Sequence, residues 1–225
     1  MWCIPPRQNA EFVAHMEDVL AVYARPYDEK RPVVCMDEKP YQLTDNEIAP
    51  IPLSEENHSK KTDSEYIRKG TCSIFMFTEP LAGWREAHAM PQRRAVDWAT
   101  QIKWLVDEVY PDVEKIVLVM DNLNTHAISS LYKNFVPEEA FRISQKLEIH
   151  YTPKHGSWLD IAEIELSALS LQCLDKERIP TIEILSQKLK AWSCNRNTMQ
   201  KGVSWQFSTD DARNKLKHLY PEIIM

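Results

Sequence analysis

Apolar residues fall into two repeating patterns along this chain. Between Asn9 and Ala24 they come as Phe12, Val13, Met16, Val19, Leu20 and Tyr23, the three-to-four spacing that lines one face of a helix. Residues 31–38 (RPVVCMDE) are a short β-branched run behind a proline, the pattern of a buried strand. Residues 44–65 are polar, charged and proline-bearing, which predicts a surface loop. Residues 68–78 (RKGTCSIFMFT) predict a second strand, EPLAGW (79–84) a hairpin turn, and 85–90 its return strand. Trp98, Ile102, Leu105, Val106 and Val109 give 96–110 a helical face, and KIVLVM (115–120) predicts another fully buried strand. Asn124 or Thr125 is suited to cap the helix that follows. A short strand is expected over 146–151 and a loop over 152–158. Ala162, Leu166, Leu169 and Cys173 stripe a helix from Leu159 to about Leu174, a further helix spans 182–192 behind Thr181, and a last one follows Ser208. This order suits an α/β fold, a central mixed sheet flanked by helices. An RNase H-like core fits it, although the order alone does not single that core out.

Composition narrows the functional classes. The 225 residues suffice for one sizeable core. With 44% apolar and 27% charged residues the chain is ordinary for a soluble protein. Its apolar runs fall short of the roughly 18–20 residues that span a bilayer, and MWCIPPRQN has no signal-peptide pattern. A cytoplasmic protein with no membrane partner is expected. Five scattered cysteines without a CxxC pair indicate neither a disulfide framework nor a zinc ribbon, and Cys35 reads as a small buried hydrophobe. Four isolated glycines exclude a phosphate-cradling loop. A net charge of −6 and a pI of 5.7 argue against a stand-alone, high-affinity DNA binder. They agree with a cluster of carboxylates around metal, or with a DNA-binding module outside this chain.

Two apolar strands each end in an aspartate, VVCMD at Asp37 and VLVMD at Asp121. A lone aspartate there usually just starts a turn. If the two strands are neighbours, both carboxylates emerge near each other at the sheet end, where ligands gather in α/β folds. A third acid comes from the helix after Trp158. Asp160 and Glu163, three apart, share a helix face. Glu165 lies about 200° around from Glu163 and reads as solvated. Three carboxylates from two strands and a helix form an oxygen-rich site for hard cations such as Mg²⁺. Two such ions roughly 3.5–4 Å apart can clamp an in-line phosphoryl displacement with no protein nucleophile.

RPVVCMDE (31–38), DSEYIRKGT (63–71), VMDNLNTH (119–126), YTPKHGSWLDIAEIE (151–165) and WQFSTDDARNKLKHLYP (205–221) resemble the DDE endonuclease domain of IS630-type transposases of the Tc1/mariner superfamily. The opening WCIPP resembles the linker before that domain. The resemblance implies an RNase H-like fold, with residues 1–30 as linker and leading helix and 31–225 as the catalytic domain. It implies that Asp37, Asp121 and Glu163 are the catalytic triad and hold two Mg²⁺ ions, for which Mn²⁺ can substitute. The family's motif has Asn where this chain has Asp160, which makes Asp160 an auxiliary ligand or a disturbance. It also has glycine and basic residues where this chain has LSEENHSKK (53–61). The amino-terminal helix-turn-helix modules of the family are absent from the chain. The partner implied is double-stranded DNA, transposon ends and a TA-containing target, engaged by a homodimer. Lys154, His155, Asn122 and Asn124 are candidates for phosphate contacts and Trp158 for stacking on a base.

The other candidates are weaker. His126, His150 and His155 match no zinc-ligand spacing and are expected at the surface or in hydrogen bonds. Arg93-Arg94 and Lys60-Lys61 read as solvated pairs, and most tryptophans sit at core spacing. Three alternatives accompany the transposase reading: the same fold as an inactive truncated remnant, a general RNase H-like nuclease, and an inhibitor acting through mixed dimers.

Overall fold

The computed structural model describes residues 4–5, 7–48 and 64–222. Lys60-Lys61 and the stretch 53–61 lie outside the described residues. Five strands form one sheet: β1 (Val33–Asn46), β2 (Tyr66–Glu79), β3 (Trp84–Met90), β4 (Ile116–Met120) and β5 (Leu147–Tyr151), in the order β3-β2-β1-β4-β5. The pairs β3–β2 and β2–β1 are antiparallel, whereas β4 runs parallel to β1 and β5 parallel to β4.

Helices cover both faces of the sheet. Strand alternation sends Cys35, Ile74, Met76, Val117 and Val119 to one face, where α1 (Ala10–Tyr23), α5 (Ala162–Gln172), α6 (Ile182–Thr198) and α7 (Thr209–Lys215) pack. Val34, Met36, Phe75, Phe77, Leu118 and Met120 point to the other face, against α2 (Ala95–Trp104), α3 (Ile128–Asn134) and α4 (Pro137–Gln145). The three central strands therefore read as unbroken apolar runs because both their faces are buried.

The helices begin where their caps dictate. Asn9 Oδ1 accepts the Phe12 N–H at 2.9 Å, Thr181 caps α6, and Ser208 forms a capping box with Asp211. Past α2 the helix widens to a π-turn over Leu105–Val109 and stops at Tyr110, before Pro111.

The structure corrects three local expectations. The expected loop 44–65 is partly strand, since β1 continues to Asn46 and β2 starts at Tyr66. Antiparallel pairing supports polar residues there that no apolar pattern announces, with a register shift at Leu43/Thr44 opposite Gly70, whose φ of 113° favours glycine. Neither Asn124 nor Thr125 caps α3. A turn intervenes, Thr125 offers its carbonyl to the Ser130 hydroxyl at 2.9 Å, and α3 starts behind Ala127. Finally, α5 starts at Ala162, later than expected, after a 3-10 turn over Ser157–Leu159.

Candidate active site

Asp37 and Asp121 stand at the same level of the sheet. The last pair in the parallel β1–β4 ladder is Met36 with Met120, and an aspartate follows each: Asp121 lies just past the end of β4, whereas Asp37 does not end β1 as expected, because β1 runs on to Asn46 against β2. By alternation both follow Cys35 and Val119 towards the face covered by α5. The first turn of α5 brings Glu163, and Asp160 lies just before that helix. Between β1 and α5 runs an open groove lined by Asp37, Lys39, Pro40, Glu163, Leu166 and Ser167.

The four acids sense one another. Burial pushes the Asp37 carboxyl up to about 7 against the pull of a hydrogen bond from the Glu38 N–H, and the charges of Asp121, Glu163 and Glu38 add to the rise. Asp160 is 2% exposed. Burial lifts its carboxyl well above the usual range, and Asp37, Asp121 and Glu163 lift it further. Asp160 Oδ1 accepts the Ala162 N–H at 2.9 Å, while Oδ2 is buried without a hydrogen-bond partner. That local turn also corrects the expected helix face. Asp160 precedes α5 in extended backbone and joins Glu163 through the turn, not through helical spacing.

A second network fixes the other side of Asp121. His126, fully buried, places Nε2 2.6 Å from Glu38 Oε1 and Nδ1 2.6 Å from Asp121 Oδ1. The Nδ1–H line runs nearer the Asp121 carbonyl oxygen, 3.3 Å away, so the contact with Oδ1 is an ion pair with poor hydrogen-bond direction. Burial disfavours the imidazolium, yet the two carboxylates outweigh it and raise His126 to about 9. Glu38, His126 and Asp121 are also the one group among the described residues with metal-ligand proximity. Both ring nitrogens are nevertheless taken up by direct carboxylate contacts. Glu38 carried no apolar-pattern signal. Its only mark was its place beside Asp37, where alternation turns it to the opposite face.

Glu165 is 1% exposed, not solvated. It points away from Glu163, as helical geometry requires, into a space between β3 and α6. There Arg85 meets it at 3.1 Å and Arg196 at 3.0 Å. Arg85 also donates to the carbonyls of Gly83 and Lys201, and the Asn197 side chain pairs with the Arg85 backbone in both directions. This cluster locks α5 against β3 and α6.

The other candidates lie on loops at the same end of the sheet. Asn122 and Asn124 are exposed behind β4, and Lys154 and His155 are exposed behind β5. His155 has φ 65°, and it borders a cleft with Lys154, Ile4, Pro5 and Phe12. Trp158 packs edge-on against Phe207, their rings 5.9 Å apart. His150 is held by Asp18 at 2.7 Å and Glu148 at 3.2 Å.

Residues 32–186, which carry all four acids, match the family model described as DDE superfamily endonuclease. The chain belongs to this family. No curated protein matches the sequence. Among solved structures, the DDE endonuclease domain is similar to the Mos1 mariner paired end complex with Mg, at 13% identity and TM-score 0.59 over 97% of this chain and 66% of that one. The paired end complex with Mn gives 14% identity and TM-score 0.57 over 88% and 60%. The Mos1 mariner transposase catalytic domain gives 14% and 0.51 over 85% of each chain. These likenesses establish the RNase H-like fold. The chain spans 60% and 57% of the first two Mos1 chains. Among the described residues, no helix is long and apolar enough to cross a membrane.

Proposed function

We propose that this domain is the catalytic portion of a transposase that cuts and joins DNA, with Asp37, Asp121 and Glu163 as the catalytic acids. Residues 31–225 form the catalytic unit, and residues 1–30 lead into it. The observation that carries the reading is the convergence of those three carboxylates on Asp160, whose Oδ2 is buried and unpartnered. An orphaned buried carboxylate oxygen among three other acids is costly unless a cation completes it. The donor set is all oxygen, which fits Mg²⁺, with Mn²⁺ as a substitute. Asp37, Asp121 and Glu163 would hold two ions and Asp160 would assist. The chemistry supplied by bound ions is activation of an attacking oxygen and neutralisation of a leaving one at phosphorus.

The chain's own residues prepare that chemistry. The Glu38 N–H fixes Asp37 Oδ1 at 2.7 Å. The Ala162 N–H fixes Asp160 Oδ1. The open groove gives a phosphodiester access to the acids. Lys154, His155, Asn122 and Asn124, exposed on loops at this end of the sheet, would contact phosphates, and Trp158 would stack on a base. The DNA would be transposon ends, with a TA-containing target for the freed 3′-hydroxyl, and the working form a homodimer. Solved Mos1 relatives include a paired-end complex with left transposon end and a Strand Transfer Complex, which supports this choice of partner. A cytoplasmic location without membrane contact completes the proposal.

The test is Mn²⁺ calorimetry on the wild type and Asp121→Ala. Binding on the order of 10⁻⁴–10⁻³ M that vanishes in the variant supports the acid site, and Mn²⁺-dependent nicking of end-bearing DNA then supports the activity. A specific observation favours one competing reading, an inactive remnant: Asp160 adds a fourth carboxylate to the site. Equal calorimetric traces for the two proteins would select that reading.

A further inference from the structure

We propose that His126 is a positioning residue: it ties down Asp121 Oδ1, leaves Oδ2 to face a divalent cation, and anchors this hold on Glu38. The inference rests on the proposed acid site and adds a residue to it.

The geometry is built around the ring. The apolar run of β4 delivers Asp121 to the α5 face of the sheet. His126 lies on the other face, stacked at 6.0 Å and 26° against Trp98 of α2. Its contact with Asp121 therefore wraps around the end of β4. The ring is buried and held at both ends. The His126 backbone N–H closes a turn onto the Leu123 carbonyl at 2.9 Å, its carbonyl accepts the Tyr151 hydroxyl at 2.8 Å, and Nε2 is held by Glu38. Glu38 is the neighbour of Asp37, and its N–H already fixes Asp37 Oδ1. Asp37 and Asp121 are thus joined through one buried side chain, Asp37–Glu38 on β1 to His126 and on to Asp121. A carboxylate fixed through one oxygen presents the other in a set direction, and outer partners of this kind typically change metal affinity 10–100-fold.

The two ring nitrogens can be tested separately. An Asn side chain can place its amide nitrogen where Nδ1 stands, towards Asp121. A Gln side chain can place it where Nε2 stands, towards Glu38. Mn²⁺ affinity is measured by calorimetry for the wild type, His126→Leu, His126→Asn and His126→Gln, with circular dichroism to confirm folding. The expected result is a loss of at least about tenfold for Leu, a similar loss for Gln, and a smaller loss for Asn, which keeps a donor towards Asp121 but neither the charge nor the Glu38 anchor. A ring that served only packing would leave Asn no better than Gln. Equal affinities for Asn and Gln, or wild-type affinity for Leu, overturn the proposal while leaving the acid site standing. Should the Leu variant not fold, the Asn–Gln comparison decides alone. If the wild type binds no Mn²⁺ that Asp121→Ala abolishes, the acid-site reading fails and this inference fails with it.

Discussion

Asp160 sits where burial and three neighbouring carboxylates all oppose a negative charge. In the metal-free protein its raised folded pKa means that the folded state binds more protons than the unfolded chain. Stability is therefore lost as pH rises above the unfolded value of 3.8. Asp160→Asn removes that cost. Metal-free Asp160→Asn should melt on the order of a few degrees above wild type near neutral pH, and the gap should close below about pH 4. Saturating Mn²⁺ should reverse the order, because the wild type keeps the extra ligand oxygen. Differential scanning calorimetry at several pH values, with and without Mn²⁺, checks all three outcomes. At this scale the sequence was only partly legible. Asp37 and Asp121 announced themselves as acids closing apolar runs, although β1 continues past Asp37. Glu165 did not, because its partners Arg85 and Arg196 lie 80 and 31 residues away and only folding brings them together.

The element that most depends on such distant contacts is α5. Its site-facing side carries Glu163, and its back is fastened by Glu165 to Arg85 and Arg196. Removing the central carboxylate leaves a buried guanidinium uncompensated. Glu165→Leu should cost about 3–5 kcal/mol, read as a lower urea midpoint. Asp210→Ala loses an exposed pair with Arg213 at 3.7 Å and should leave the urea midpoint nearly unchanged, because solvent screens such a pair. The β2–β3 turn belongs to the same assembly. A Cβ on Gly83 would come within 2.8 Å of the Gln200 backbone, and the residue has φ 69°. Gly83→Ala should destabilise by more than about 1 kcal/mol in the same urea titration. Helix starts marked by a capping residue were readable, as Asn9 and Thr181 show, but the end of α6 was not: it runs past Trp192 to Thr198. The far half of β1 was not, since residues 44–46 are strand only by virtue of their partner β2.

Over the whole molecule, opposing titrations shape stability. Arg25 foremost, with His150 and Arg31, holds Glu148 down at about 2, against 4.5 unperturbed. Arg142 and Lys103 do the same for Glu139. Depressed carboxyls contribute stability that is full above about pH 4.5 and is lost towards pH 2. Asp37 acts in the opposite sense, because its rise from 3.8 to about 7 removes stability across that interval. His126, raised from 6.5 to about 9, stabilises below 6.5 and stops doing so as pH climbs through 9. The metal-free protein should therefore be most stable near pH 4–5 and weaken steadily towards pH 9, as urea midpoints across that range would show. The layered α/β plan itself was legible from doubly buried strands alternating with striped helices. The pairing order of the strands was not, because no local signal says that β1 lies between β2 and β4.

The fold also brings its first and last described helices together. The Asn9 N–H bonds the Leu219 carbonyl at 2.9 Å, and Glu17 of α1 grips Arg213 and Tyr220. Under tension applied at the ends these contacts would break in succession, like a zipper, at low force. Only after α1 on one side and α7, α6 and α5 on the other had peeled away would the load reach the strands, where many bonds must shear at once. In a pulling experiment the chain should lengthen first by an early, soft step and then by a later, stiffer one, and Asp37 and Asp121 would stay in register until the second.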